Sequence, residues 1–145
     1  MGKLEGKVAI ITGGGKGIGF GLAKAFAKEG ANLTITGRTM SRLEAAKEKL
    51  EAEYGVKVLP ITADGADEAS VANVVKQTVE TFGHIDTVVN NAQVSKSGVM
   101  LKDHTKEDFD LAIYSGLYAT FFYMREAFPY LKETKGSVIN FASGA

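Results

Sequence analysis

Between the apolar run Lys7-Val-Ala-Ile-Ile-Thr12 and a helical stretch that begins near Ile18, five of seven consecutive residues are glycine: Gly13, Gly14, Gly15, Gly17 and Gly19. Its continuous apolar stretch from Val8 to Ile11 reads as a strand buried on both faces, as in a parallel sheet covered by helices. Glycine permits positive φ and carries no Cβ, while the following helix offers free N–H groups and the positive end of its dipole. Strand, glycine turn and helix in that order form a cradle for a pyrophosphate. They commit the chain to an α/β fold.

The same alternation continues along all 145 residues. The first helix should face the sheet with Leu22, Ala23, Phe26 and Ala27 and stop at Gly30. Ala31 to Thr36 reads as a second strand, and Ser41-x-x-Glu44 as a capping box opening a charged helix that ends at Gly55. Val56 to Pro60 reads as a third strand. Asp67 begins a helix with the apolar stripe Val71, Val74, Val75 and Val79, closed by Gly83, and Ile85 to Val89 is the fourth strand. Thr105-x-x-Asp108 caps the longest helix, running to about Leu131, and Gly136 to Ala142 is the fifth strand. Five strands joined by four helices imply a Rossmann-like, doubly wound parallel sheet in three α/β/α layers, with ligands at the carboxyl ends of the strands. No repeat or linker divides it, so residues 1–145 are expected to form a single nucleotide-binding domain. Its last strand would carry Val138, Ile139 and Phe141 on an uncovered edge, where natural edges are short, charged or covered. The expectation is therefore the N-terminal part of a longer single-domain protein whose further strands are missing here.

Composition narrows the partners. Seventeen basic residues balance seventeen acidic ones, which leaves no electrostatic footprint for nucleic acid or an anionic membrane. Cysteine is absent, excluding disulfides, thiolate-bound metals and a cysteine nucleophile. No apolar run approaches a membrane span of ~20 residues. His84 and His104 have no second ligand at metal spacing and read as surface residues. A small-molecule partner and a cytoplasmic setting are expected, and the aromatic long helix points to a homo-oligomer.

The glycine spacing, Gly13-x-x-x-Gly17-x-Gly19, is neither G-x-G-x-x-G nor the P-loop, which requires Gly-Lys-Ser/Thr. In its strand–helix setting, Thr12-Gly-x-x-x-Gly-Ile-Gly19 resembles the nucleotide loop of the classical short-chain dehydrogenases/reductases. Asn90-Asn-Ala-Gln93 after the fourth strand and Asn140-Phe-Ala-Ser143 at the end of the fifth are similar to that family's patterns, and the resemblance covers the whole chain. It implies cofactor contacts from Thr12, Gly13, Gly15, Lys16, Gly17, Ile18, Gly19, Asp64, Asn90 and Ala92. It also implies that Ser143 is catalytic, and that a Tyr-x-x-x-Lys acid lies beyond residue 145. Two positions depart from the pattern: Gly116 stands where the family has an asparagine in the long helix, and Gln93 where it has a glycine. Either Ser115 with a water replaces the missing asparagine, or proton transfer is impaired; Gln93 either tunes substrate choice or narrows the site.

Charge selects the cofactor. An acidic side chain about twenty residues past the glycines holds the ribose 2′-OH of NAD, and an arginine there accommodates a 2′-phosphate. This chain has Gly37-Arg38, and Lys16 adds a second cation. The reading is an NADP(H)-dependent oxidoreductase interconverting a carbonyl and a secondary alcohol. The alternative is a non-catalytic NADP(H) sensor or scaffold. A methyltransferase is disfavoured, because its nucleoside lacks a phosphate for Lys16 and Arg38 to meet.

Overall fold

A computed structural model of the chain describes residues 2–142. Five strands, β1 (Val8–Thr12), β2 (Asn32–Gly37), β3 (Val58–Thr62), β4 (Thr87–Asn90) and β5 (Ser137–Asn140), form one sheet in the order β3-β2-β1-β4-β5. Every pairing is parallel. Helices α1 (Gly17–Lys28), α2 (Met40–Tyr54), α3 (Glu68–Phe82) and α5 (Ala119–Thr134) cover it, and α4 (Lys106–Ala112) precedes α5. The strand order reverses between β1 and β4, and there the crevice at the carboxyl ends opens.

Because side chains alternate along a strand, the central strands feed two cores. Ala9, Ile11, Leu33, Ile35 and Val89 pack on the side of α1 and α2, and Ile10 and Val88 on the side of α3 and α5. On the second face β2 presents Thr34, which is fully buried but hydrogen-bonds the Thr78 hydroxyl of α3 at 2.8 Å. Small residues set the approach of α1: Gly19, Ala23 and Ala27 form its buried stripe, and Leu22 and Phe26 flank it half-buried rather than facing the sheet fully.

Several expected boundaries move. The third strand starts at Val58, two residues later than the apolar run suggested. The capping box at Ser41 does not form: the N-cap of α2 is Thr39, two residues earlier, and no side chain caps the helix. Asp67 does cap α3, accepting from the Ala69 N–H at 3.0 Å, and Gly55 and Gly83 close α2 and α3 with φ of 70° and 89°. The long helix is not uniform. Thr105 and Asp108 make the full reciprocal box at its start, but Ile113–Tyr118 widens into a π-helical segment before α5 resumes. An apolar pattern read at 3.6 residues per turn does not register such a widening.

β5 is an edge strand. Val138 packs on the α3/α5 core, while Ile139 and Phe141 are 44% and 46% exposed. Among the described residues no helix is long and apolar enough to cross a membrane.

Candidate active site

The site grows from the end of β1. Thr12 is buried, and its hydroxyl accepts from the backbone N–H groups of Asn91 and Ala92, both at 2.9 Å, while facing the Val89 carbonyl at 3.4 Å. The Asn91 carboxamide returns a bond to the Thr12 carbonyl at 3.1 Å. One side chain thus fastens the loop after β4 to the loop after β1. Thr12 contributes to the pocket by setting its floor, since the hydroxyl is already committed.

The glycines then turn the chain. Gly13 and Gly17 have φ of 68° and 56°, where a side chain is strained. The Gly14 N–H continues the ladder to the Thr36 carbonyl at 3.1 Å. Gly19 lies against the Gly13 carbonyl so closely that a Cβ would overlap it. Over Gly17 nothing lies within 4 Å of where a Cβ would be. The loop is therefore packed tightly on its inner side and open on its outer side, and the first-turn N–H groups of α1 are unbonded within the helix. Lys16 occupies the N-cap position without capping through its side chain, and Ile18 is 69% exposed.

A pocket lies at the carboxyl ends of β1, β2 and β4, lined by Thr12, Thr36, Gly37, Arg38, Asp64, Asn90, Ala92 and Gln93, and closed by Ser115, Ala119, Thr120 and Tyr123. Of the residues expected to bind cofactor, Thr12, Arg38, Asp64, Asn90 and Ala92 line it directly; Gly13, Gly15, Lys16, Gly17, Ile18 and Gly19 are not among its lining and follow Thr12 in the loop between β1 and α1 and the first turn of α1. Neither Arg38 nor Lys16 has an ion-pair partner among the described residues. One Asp64 oxygen accepts from the Ala66 N–H at 2.9 Å, and the Asp64 N–H donates to Ser70 at 3.0 Å, which fixes this residue at the mouth. Asn90 is buried opposite Asn140 in the β4–β5 register and donates to its carboxamide oxygen at 2.9 Å. Ser143, the expected catalytic hydroxyl, lies outside the described residues.

The far wall comes from the long helix, whose role the sequence only hinted at. Ser115, Ala119 and Tyr123 follow one another at four-residue spacing, and that spacing was the available signal. Ala119 is small where α5 meets the β3–α3 loop: a Cβ on Gly65 would lie 2.6 Å from the Ala119 Cβ. Tyr123 is 2% exposed and belongs to the core. Burial pushes its phenol up to about 12, against a hydrogen bond with Thr36 that lowers it. It stays neutral at physiological pH. Ser115 does not offer a free hydroxyl: its Oγ donates to the Val94 carbonyl at 2.8 Å and accepts from the Val94 N–H at 2.9 Å. The outward aromatics behave differently, with Tyr114 stacked on Tyr118 at 5.1 Å and Phe121 and Phe128 more than half exposed.

Elsewhere, an open hollow between α1 and α2, lined by Phe20, Lys24, Lys49 and Glu53, contains none of these residues. His84 sits at the opposite, amino-terminal edge of the sheet, its Nε2 2.9 Å from an Asp86 carboxylate oxygen and 3.1 Å from the Gly6 carbonyl.

Comparison with known proteins places this geometry. A profile of the short chain dehydrogenase family matches residues 7–145. The chain is 60% identical, over its whole length, to 58% of the 12alpha-hydroxysteroid dehydrogenase of a Clostridium species. The crystal structure of L-sorbose reductase from Gluconobacter frateurii, complexed with NADPH and L-sorbose, superposes with a TM-score of 0.92 at 34% identity, over 99% of this chain and 54% of that one. An NAD+-bound xylitol dehydrogenase superposes with a TM-score of 0.91 at 27% identity, over 97% of this chain and 54% of that one. The chain thus spans a little over half the length of these relatives.

Proposed function

Because the chain belongs to the short chain dehydrogenase family, we propose that the full-length protein is an NADP(H)-dependent oxidoreductase that interconverts a carbonyl and a secondary alcohol. The observation that carries the cofactor choice is Arg38 at the end of β2, exposed in the pocket wall without an ion-pair partner among the described residues. The residues present fit the dinucleotide: the loop is bare over Gly17 and closed behind Gly19, and the first turn of α1 offers its N–H groups to a pyrophosphate. When bound, the nicotinamide supplies or accepts the hydride. Arg38 and Lys16 would hold a 2′-phosphate, Asp64 would face the adenine, and Asn90 and Ala92 would border the nicotinamide ribose. Ser143 would donate a hydrogen bond to the carbonyl oxygen as negative charge develops there. Relatives named for a hydroxysteroid and for sorbose support a small-molecule alcohol or ketone as substrate, and the 60% identity makes a 12α-hydroxysteroid the first probe. The outward aromatic face of the long helix supports a homo-oligomer, and the lack of a membrane-spanning helix among the described residues fits a cytoplasmic setting.

Titration calorimetry of the full-length protein with NADPH and NADH tests this reading. A charge-assisted hydrogen bond is worth roughly 1.5–3 kcal/mol, so NADPH should bind about ten- to a hundredfold more tightly. Arg38→Asp should weaken NADPH binding and relatively favour NADH. Equal affinities in the unmodified protein would remove the Arg38 argument. Tight NADPH binding without turnover of the steroid or of other alcohols and ketones would favour the sensor reading.

A further inference from the structure

The loop after β4 and the π-helical segment meet at one pair of residues. A Cβ on Gly116 would lie 3.4 Å from Gln93 Cγ, 3.6 Å from Cδ and 3.9 Å from Nε2. The Gln93 side chain, carboxamide included, therefore lies over the bare backbone of the widened helix. It fills the volume that any side chain longer than alanine at position 116 would enter. The loop is held in this place from both sides. Thr12 fixes Asn91 and Ala92 just before Gln93, and the reciprocal Ser115–Val94 bonds fix the residue just after it.

Three polar side chains of the same wall are committed: Thr12 to the β4 loop, Asn90 to Asn140, Ser115 to Val94. The Gln93 carboxamide lines the same pocket, is exposed, and has no hydrogen-bond partner among the described residues. An amide donates and accepts at once, so it suits a hydroxyl or a second carbonyl on a ligand. A site that hydrogen-bonds such a group rejects analogues lacking it far more strongly than an apolar wall discriminates by size.

Resting on the reading of this pocket as an NADP(H) and carbonyl site, we propose that Gln93 and Gly116 work as an exchange pair: glycine opens a notch in the π-helical segment, and the loop fills it with the carboxamide that reads the substrate's polar substituents. Gln93 is thus a specificity-determining residue, and Gly116 is the vacancy that lets it reach its place.

A four-protein cycle in the full-length protein tests this: wild type, Gln93→Gly, Gly116→Asn and the double variant. Each is assayed for NADPH affinity, for KM and kcat on a 12α-hydroxysteroid, and for melting temperature. Gln93→Gly should raise KM about tenfold or more, with NADPH affinity within about twofold and the melting temperature unchanged, because an exposed side chain supports little of the fold. Gly116→Asn should lower kcat/KM and the melting temperature, since two side chains then compete for one volume. The double variant should recover at least about fivefold in kcat/KM over Gly116→Asn, a coupling expected only of residues in contact. Additive losses, or an unchanged KM in Gln93→Gly, would overturn the pair. Failure of the wild type to bind NADPH would overturn the cofactor reading beneath it. The melting temperatures would still decide the packing: a loss in Gly116→Asn restored in the double variant supports it, and an unrestored loss refutes it.

Discussion

Thr12 shows how a single hydroxyl can tie two loops of a site together. Two backbone N–H groups from the β4 loop end on its Oγ, and valine would occupy nearly the same volume while leaving both unpaired. Each orphaned, partly buried N–H costs about 1–3 kcal/mol, so Thr12→Val should destabilise the domain by about 2 kcal/mol or more. For a domain of this size the melting temperature should fall by about 4–8 °C, and Thr12→Ser should restore most of it. A melting temperature unchanged in Thr12→Val would show that the two N–H groups find other partners. Gly19 carries a complementary constraint, because its missing Cβ is what allows the helix to start against the Gly13 carbonyl. Gly19→Ala should separate loop from helix, at about 1–3 kcal/mol for overpacking. Loss of NADPH binding by calorimetry would accompany it.

At the scale of elements, the α4 start is the best-defined electrostatic device. The Asp108 carboxylate accepts from the Thr105 backbone N–H at 3.1 Å, and that bond is the main reason its pKa lies below the ordinary value of 3.8. Lys96, 3.8 Å away, lowers it further, and partial desolvation opposes both. A carboxyl depressed on folding stabilises at pH above its unfolded pKa, and that contribution disappears as pH falls through the lowered folded value. The α4 N-terminus should therefore keep its cap at pH 4 and fray only below it. An NMR titration of the Asp108 carboxyl carbon should place its midpoint under 3.8, and a midpoint at or above the ordinary value would show the box to be absent in solution. The π-helical segment that follows has another origin. Its residues carry no pattern of their own that demands widening; the Ser115 bonds to Val94 and the bare Gly116 tie it to a loop 21 residues away in sequence.

At the scale of the whole molecule, β5 leaves one edge of the sheet bare, with Ile139 and Phe141 nearly half exposed. Exposed apolar edges template pairing with another chain. The 145-residue chain alone should self-associate with rising concentration in sedimentation velocity runs, and Ile139→Lys should reduce that association without lowering the melting temperature. A monomer at all concentrations would show that the edge is harmless as it stands.

Local chemistry was enough to determine the α/β alternation, the buried central strands, the glycine loop and the Thr105 box. Each depends on neighbours within a few residues: all-apolar runs, φ-permissive glycines, a side chain three positions from the N–H it caps. The proposal for Arg38 rests on equally local charge. Tertiary structure alone decided which candidates meet. The β1–β4 reversal brings Thr12 to Asn91, 79 residues away, and the β4–β5 register sets Asn90 against Asn140. The Ser41 box does not form, because α2 begins behind Thr39. Packing turned two departures from a motif, Gln93 and Gly116, into one contact. No periodicity records such a contact, since the space a glycine leaves is defined only by what folds against it.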